Sequence, residues 1–136
     1  MTGRDRGSVT IWVLGLSMLL LVFGGLALDY WRALALQREL AAVADSAAIA
    51  AASGIDEAFY RETGDVILEP TRSRSLAEAA VDWQGVDVDV DVVVATESVT
   101  VTVTGAVELG LLGVFVDQGE PLTVRATASA SPVLVP

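Results

Sequence analysis

Two patterns divide the chain. Val9 to Leu28 is an unbroken run of 20 residues in which only Thr10 and Ser17 are mildly polar. Far downstream, "VDVDVDVVV" and "SVTVTVT" alternate apolar and polar residues with a period of two. The first pattern predicts a helix: at 1.5 Å per residue it covers about 30 Å, the thickness of a bilayer's hydrocarbon core. The second predicts strands with one apolar and one polar face. Val86, Val88, Val90, Val92 and Val94 share one face of the first strand, and Asp87, Asp89 and Asp91 share the other. Val99, Val101 and Val103 oppose the threonines of the second. Thr96-Glu97 between them suits a tight hairpin. Leu122–Ala130 alternates more weakly and predicts a third strand.

Between these patterns the period is helical. Asp29–Ser53 holds no proline, and Leu36, Leu40, Val43, Ala47 and Ala50 form one stripe, with Arg38, Glu39 and Asp45 off it. Gly54 stands at the expected stop. Ala44, Ala48 and Ala52 recur four apart, a smooth face that lets another helix approach closely; alanine's helix propensity explains the same run equally well. A helix unbroken from Val9 to Ala52 would be about 66 Å long. Gly54–Glu69 is polar and acidic and is expected to be a linker. Ser75-Leu-Ala-Glu78 resembles a capping box, and Leu76, Ala79, Ala80 and Trp83 follow helical spacing up to Gly85, so a short amphipathic helix is expected from about Pro70. Val107–Val116, apolar with two glycines, is expected to close over the core or to present a docking patch.

The fold class that follows is α+β. A transmembrane helix continues into a long extramembrane helix, and a small helix then packs on a three-stranded antiparallel sheet. The expected divisions are a cytoplasmic tail (1–8), a span (9–28), an alanine-rich juxtamembrane helix (29–53), a linker (54–69) and a small extracytoplasmic domain (70–136). Such a domain is marginal alone and needs the long helix, or a neighbour, to complete its core.

Charge sharpens this picture. Gly7–Leu28 carries none, whereas the residues after Leu28 hold six basic and 17 acidic side chains. So acidic a surface excludes a nucleic-acid partner, whose phosphates need Arg and Lys. Trp12 near the start of the apolar run, and Tyr30 and Trp31 just past its end, match the aromatic belts of the two membrane interfaces. Asp29 reads either as the end of the span in the headgroup zone or as a contact made at the membrane edge. Arg4 and Arg6 before the run tilt the N-terminus toward the cytoplasm. Gly25-Leu26-Ala27 also resembles a signal-peptidase site, so a retained anchor and cleavage after Ala27 are both open.

There is no histidine and no cysteine. That removes thiolate and imidazole chemistry and disulfides. No nucleophile triad, P-loop or dinucleotide fingerprint occurs, and no cofactor is implied. Asp87, Asp89 and Asp91 lie about 6.5–7 Å apart along one strand face. A solvated face that discourages edge pairing accounts for them; a cation there would need more oxygens than they supply. A non-enzymatic protein is expected.

"RGSVTIWVLGLSMLLLVFGGLALDYWRALALQRELAAVADSAAIAAA" (Arg6–Ala52) resembles the N-terminal segment of TadE/TadG-like proteins of tight-adherence (Flp) pilus assembly. The resemblance rests on Arg6-Gly7, Asp29, Leu40 and Ala44-Asp45-Ser46-Ala47-Ala48. It implies an anchored, minor pseudopilin-like envelope protein whose partners are the membrane and other pilus-assembly or pilin-like proteins, as a homo- or hetero-oligomer. It also implies a processing site between Gly7 and Ser8, with glutamate expected five residues after the glycine. Trp12 stands there instead, which favours the unprocessed TadG-like variant. An acidic secreted or envelope-anchored binding module with no pilus role is the competing expectation.

Overall fold

A computed structural model describes residues 6–108, 110 and 121–133. Its elements are α1 (Arg6–Ala52), α2 (Glu57–Thr63), α3 (Pro70–Asp82), β1 (Asp89–Val94), β2 (Val99–Val107) and β3 (Leu122–Ala130). The chain divides into two compact units. One joins Met1–Leu34 with Val107–Leu122, and the other joins Ala35–Ala106 with Thr123–Pro136. The expectation for Val107–Val116 falls mostly outside the described residues, as does the tail before Arg6.

α1 is one helix of 47 residues. No proline interrupts it. Its first part, in the first unit, exposes Ile11, Trp12, Leu14, Met18, Leu21 and Phe23. An 18-residue window of this helix has a mean hydropathy of 2.4, long and apolar enough to cross a membrane.

The second unit holds the core. From the end of α1 it takes Leu40, Val43, Ala44, Ala47, Ala48, Ala51 and Ala52, from α3 Ala77 and Val81, and from the sheet Val92, Val99, Val101, Val103, Ala126 and Ala128. The strand order is β1-β2-β3. β1 and β2 are antiparallel, with Asp91 opposite Thr102 and Val92 opposite Val101. Ala95 N–H donates to Ser98 O at 2.8 Å and closes the tight turn over Thr96-Glu97. Side-chain contacts between Thr100 and Ser129 (2.9 Å) and between Thr102 and Thr127 (3.2 Å) fix β2 against β3, also antiparallel. Valine and alanine rows therefore face the helices, and Asp, Thr, Ser and Arg rows face out. α3 covers β1. The α+β class and the three-stranded antiparallel sheet agree with the sequence reading.

Four local expectations are corrected. The stretch expected to be a linker carries α2, capped by Asp56, which accepts from the N–H groups of Ala58 and Phe59. Gly64 at φ 80° closes that helix in a conformation glycine tolerates best. α3 starts at Pro70, as expected, but Ser75 and Glu78 do not form its cap. Glu69 is its cap, accepting from Thr71 N–H at 3.0 Å and Arg72 N–H at 2.6 Å, and proline at the first position suits a helix start. Ser75 lies inside the helix and donates to Arg72 O at 2.9 Å. The buried side of α3 is Ser73, Ala77 and Val81, whereas Trp83 is 91% exposed. Finally, Gly54 stands just past the end of α1, as expected, but without the positive φ of a glycine cap. Its backbone lies against Ser73: a Cβ there would meet the Ser73 Cα and N at 2.8 Å.

Candidate functional site

The candidate residues sit at four places, each within one unit. The first is the end of the apolar run. Val22 and Leu26 are half-buried and Gly25 is buried, and Asp29 on the same helical face is only 2% exposed. Its Oδ1 accepts from Gly110 N–H at 3.0 Å. Arg32, one turn along, brings Nη1 to 3.7 Å from the same oxygen. A carboxylate taken out of water needs such donors. Asp29 therefore makes a contact whose partner lies 81 residues away in the same chain. Trp12, Tyr30 and Trp31 remain exposed.

The second place is the alanine face. Ala44 and Ala48 are fully buried and Ala52 nearly so, all inside the second unit's own core. The expectation that this face receives a helix from another protein is corrected. The domain needs those small side chains itself, because they let its own elements approach α1 closely. Gly105 shows the same economy of space on β2: a Cβ there would lie 3.2 Å from a Leu40 methyl. What α1 leaves outward here is Glu39, Asp45 and Ile49, all exposed.

The third place is the acidic strand. Asp87, Asp89 and Asp91 are exposed. Asp89 stands opposite Thr104 and Asp91 opposite Thr102 on the outward face. Among the described residues no three carboxylates converge in an arrangement that could hold a metal ion. A shallow polar depression of about 250 Å³ lies at this end of the sheet, lined by Asp87, Asp89, Thr104 and Thr123.

The fourth is the suggested processing site. Gly7 and Ser8 both lie within α1, in its first turn.

Sequence reasoning missed three participants. Gly110 gave no signal, since nothing local marks an amide that will meet a carboxylate 81 positions earlier. Ser73 was hidden in a polar stretch, although it is fully buried and donates to Gly54 O at 3.3 Å. Arg125 was visible as the lone base of the three strands, but its place was not. The register brings it level with Thr104 and, one strand further, Asp89.

A helix long and apolar enough to cross a bilayer, followed by two short helices and a three-stranded antiparallel sheet, defines the architectural class. The comparison with known families narrows it. Residues 7–54 match the model of the Tad family, Flp pilus-assembly TadE/G-like, so this segment is similar to TadE/TadG-like proteins. No curated protein and no solved structure matches the chain.

Proposed function

We propose that this protein is a single-pass, non-enzymatic component of Flp/Tad pilus assembly or a related secretion system. In this reading α1 is retained in the cell membrane with its N-terminus in the cytoplasm. The second unit stands outside as a minor pseudopilin-like domain that works through protein contacts. The observation that carries the reading is that the TadE/G-like match, residues 7–54, coincides with the apolar helix and its extension into the domain core. The buried Ala44, Ala48 and Ala52 support one refinement: partners meet the anchor and the polar surfaces of the domain, not the alanine face.

The test is fractionation with mass spectrometry of the intact N-terminus, alongside deletion of the gene in its host. The expected result is carbonate-resistant membrane association, a chain that begins upstream of Val9, and loss or reduction of surface pili. A soluble product starting at Leu28 would show the secreted acidic module instead. Retention in the membrane with unaltered pili and secretion would leave the anchor and remove the pilus role.

A further inference from the structure

The sheet of the second unit has two outer edges, and they differ. β1 carries Asp89 and Asp91 on its exposed face. Outward charges of this kind guard an edge against a strand of like charge. β3 is nine residues long and presents Thr123, Arg125, Thr127 and Ser129 outward. It has no acid and no proline, and Arg125 is the only base on any of the three strands. Among the described residues no strand lies beyond β3 or beyond β1. One edge is thus acidic and the other basic, on the same face of one sheet.

We propose that a second copy of this chain extends the sheet, its β1 edge pairing with the β3 edge of the first. The charges select this combination over the alternatives. Pairing β1 with β1 sets Asp89 and Asp91 against their own copies, and like charges directly across strands are destabilising. Pairing β3 with β3 brings together two edges whose one charged group is Arg125. Only β3 against β1 places Arg125 beside Asp91, with Asp89 two residues away on the same face. Keeping both cores on the same side of the extended sheet makes this new pair parallel. The contact is heterologous, so each copy keeps one free edge of each kind and further copies can add. Backbone hydrogen bonds supply the attraction, and the charges set the choice of edge and the register. The inference rests on the sheet alone and holds whether or not the protein serves a pilus.

The chain has no cysteine, which makes the test direct. In the proposed register Thr127 of one copy lies beside Val93 of the next; both side chains are exposed within one copy. Full-length Val93→Cys and Thr127→Cys proteins are mixed in lipid vesicles and treated with a short bis-maleimide. Crosslinking between the two variants is expected, and neither alone should crosslink to itself. Adding Arg125→Glu to the Thr127→Cys chain should lower the yield at least about fivefold. Adding Asp89→Arg and Asp91→Arg to the Val93→Cys chain should do the same. Mixing those two charge-reversed chains should restore the yield, a rescue that misfolded variants would not give. Self-crosslinking of Thr127→Cys alone would show a β3–β3 dimer and overturn the proposal. Absence of any crosslink, or a yield indifferent to Arg125→Glu, would overturn it as well.

Discussion

Asp29 Oδ1 accepts the backbone N–H of Gly110 at 3.0 Å, with the carboxylate almost wholly removed from solvent. One side chain at the end of the apolar run thus fixes a backbone position 81 residues later. Replacing Asp29 by alanine should release Gly110, and its amide should exchange with deuterium at least about tenfold faster, a hydrogen bond to a charged group contributing about 1.5–3 kcal/mol. Asp29→Asn keeps an acceptor oxygen and should retain most of the protection. Hydrogen exchange that is equal in both variants and the natural chain would show that this bond does not hold the segment.

Gly54 tests the packing of α1 on α3. A methyl group at this position meets the backbone of Ser73 at 2.8 Å, and backbone cannot rotate away. Gly54→Ala should therefore cost about 1–3 kcal/mol, the usual penalty for overpacking, read as a lower urea midpoint. Gly64→Ala is the control. Open space surrounds that glycine, and only its left-handed φ of 80° opposes a side chain, so the loss should stay near about 1 kcal/mol.

Ala48 distinguishes a core position from a docking face. It is 1% exposed, and Ile49 beside it is 69% exposed. Ala48→Leu should destabilise the domain by about 1–3 kcal/mol, and Ile49→Ala should change stability by no more than about 0.5 kcal/mol. If Ala48→Leu instead left the unfolding midpoint unchanged and abolished only association between chains, the alanine face would be an interface after all.

These cases show how far the sequence carries. The strands were legible because alternation of valine with aspartate or threonine admits one placement: a one-residue slip would bury the acids. The continuity of α1 was legible from the absence of proline between Arg6 and Ala52. What covers a helix face was not legible. Ala44, Ala48 and Ala52 specify close approach and leave the approaching element open, and here it comes from the same chain. Trp83 fell on the expected stripe of α3, yet Ser73, Ala77 and Val81 define the buried side, because a small serine permits the contact with Gly54. Size complementarity between distant positions leaves no periodic trace. The Asp29–Gly110 bond is of the same kind, a long-range pairing with a local signal at one end only.

Glu69 gives the fold a defined response to acid. Hydrogen bonds from the N–H groups of Arg72 and Thr71 stabilise its charged form and hold its pKa below the ordinary 4.5. A group whose pKa is lower when folded binds protons more readily when unfolded. Its contribution is therefore complete above the unfolded value and is lost as pH falls through the lowered folded one. The stability difference between the natural chain and Glu69→Gln should be constant near neutral pH and shrink below about pH 4.5. A difference that grew on acidification would contradict the cap.

The aromatic side chains give the anchor a measurable depth. Trp12 and Trp31 lie 19 positions apart on one helix, a rise of about 28 Å, close to the hydrocarbon thickness. If Val9–Leu28 spans the bilayer, both indoles sit at interfaces, one on each side, where amphipathic rings prefer to be. Trp83 is exposed and can be replaced by phenylalanine to remove its emission. In that background, single-tryptophan chains retaining Trp12 or Trp31 should be quenched strongly by nitroxide at the headgroup and weakly by nitroxide near the chain ends. Iodide added outside sealed vesicles should reach only one of the two. Equal access to both would mean that the helix lies along the surface or has left the membrane. Asp29, two residues before Trp31, would then have to be read as part of a water-exposed helix instead of the membrane edge.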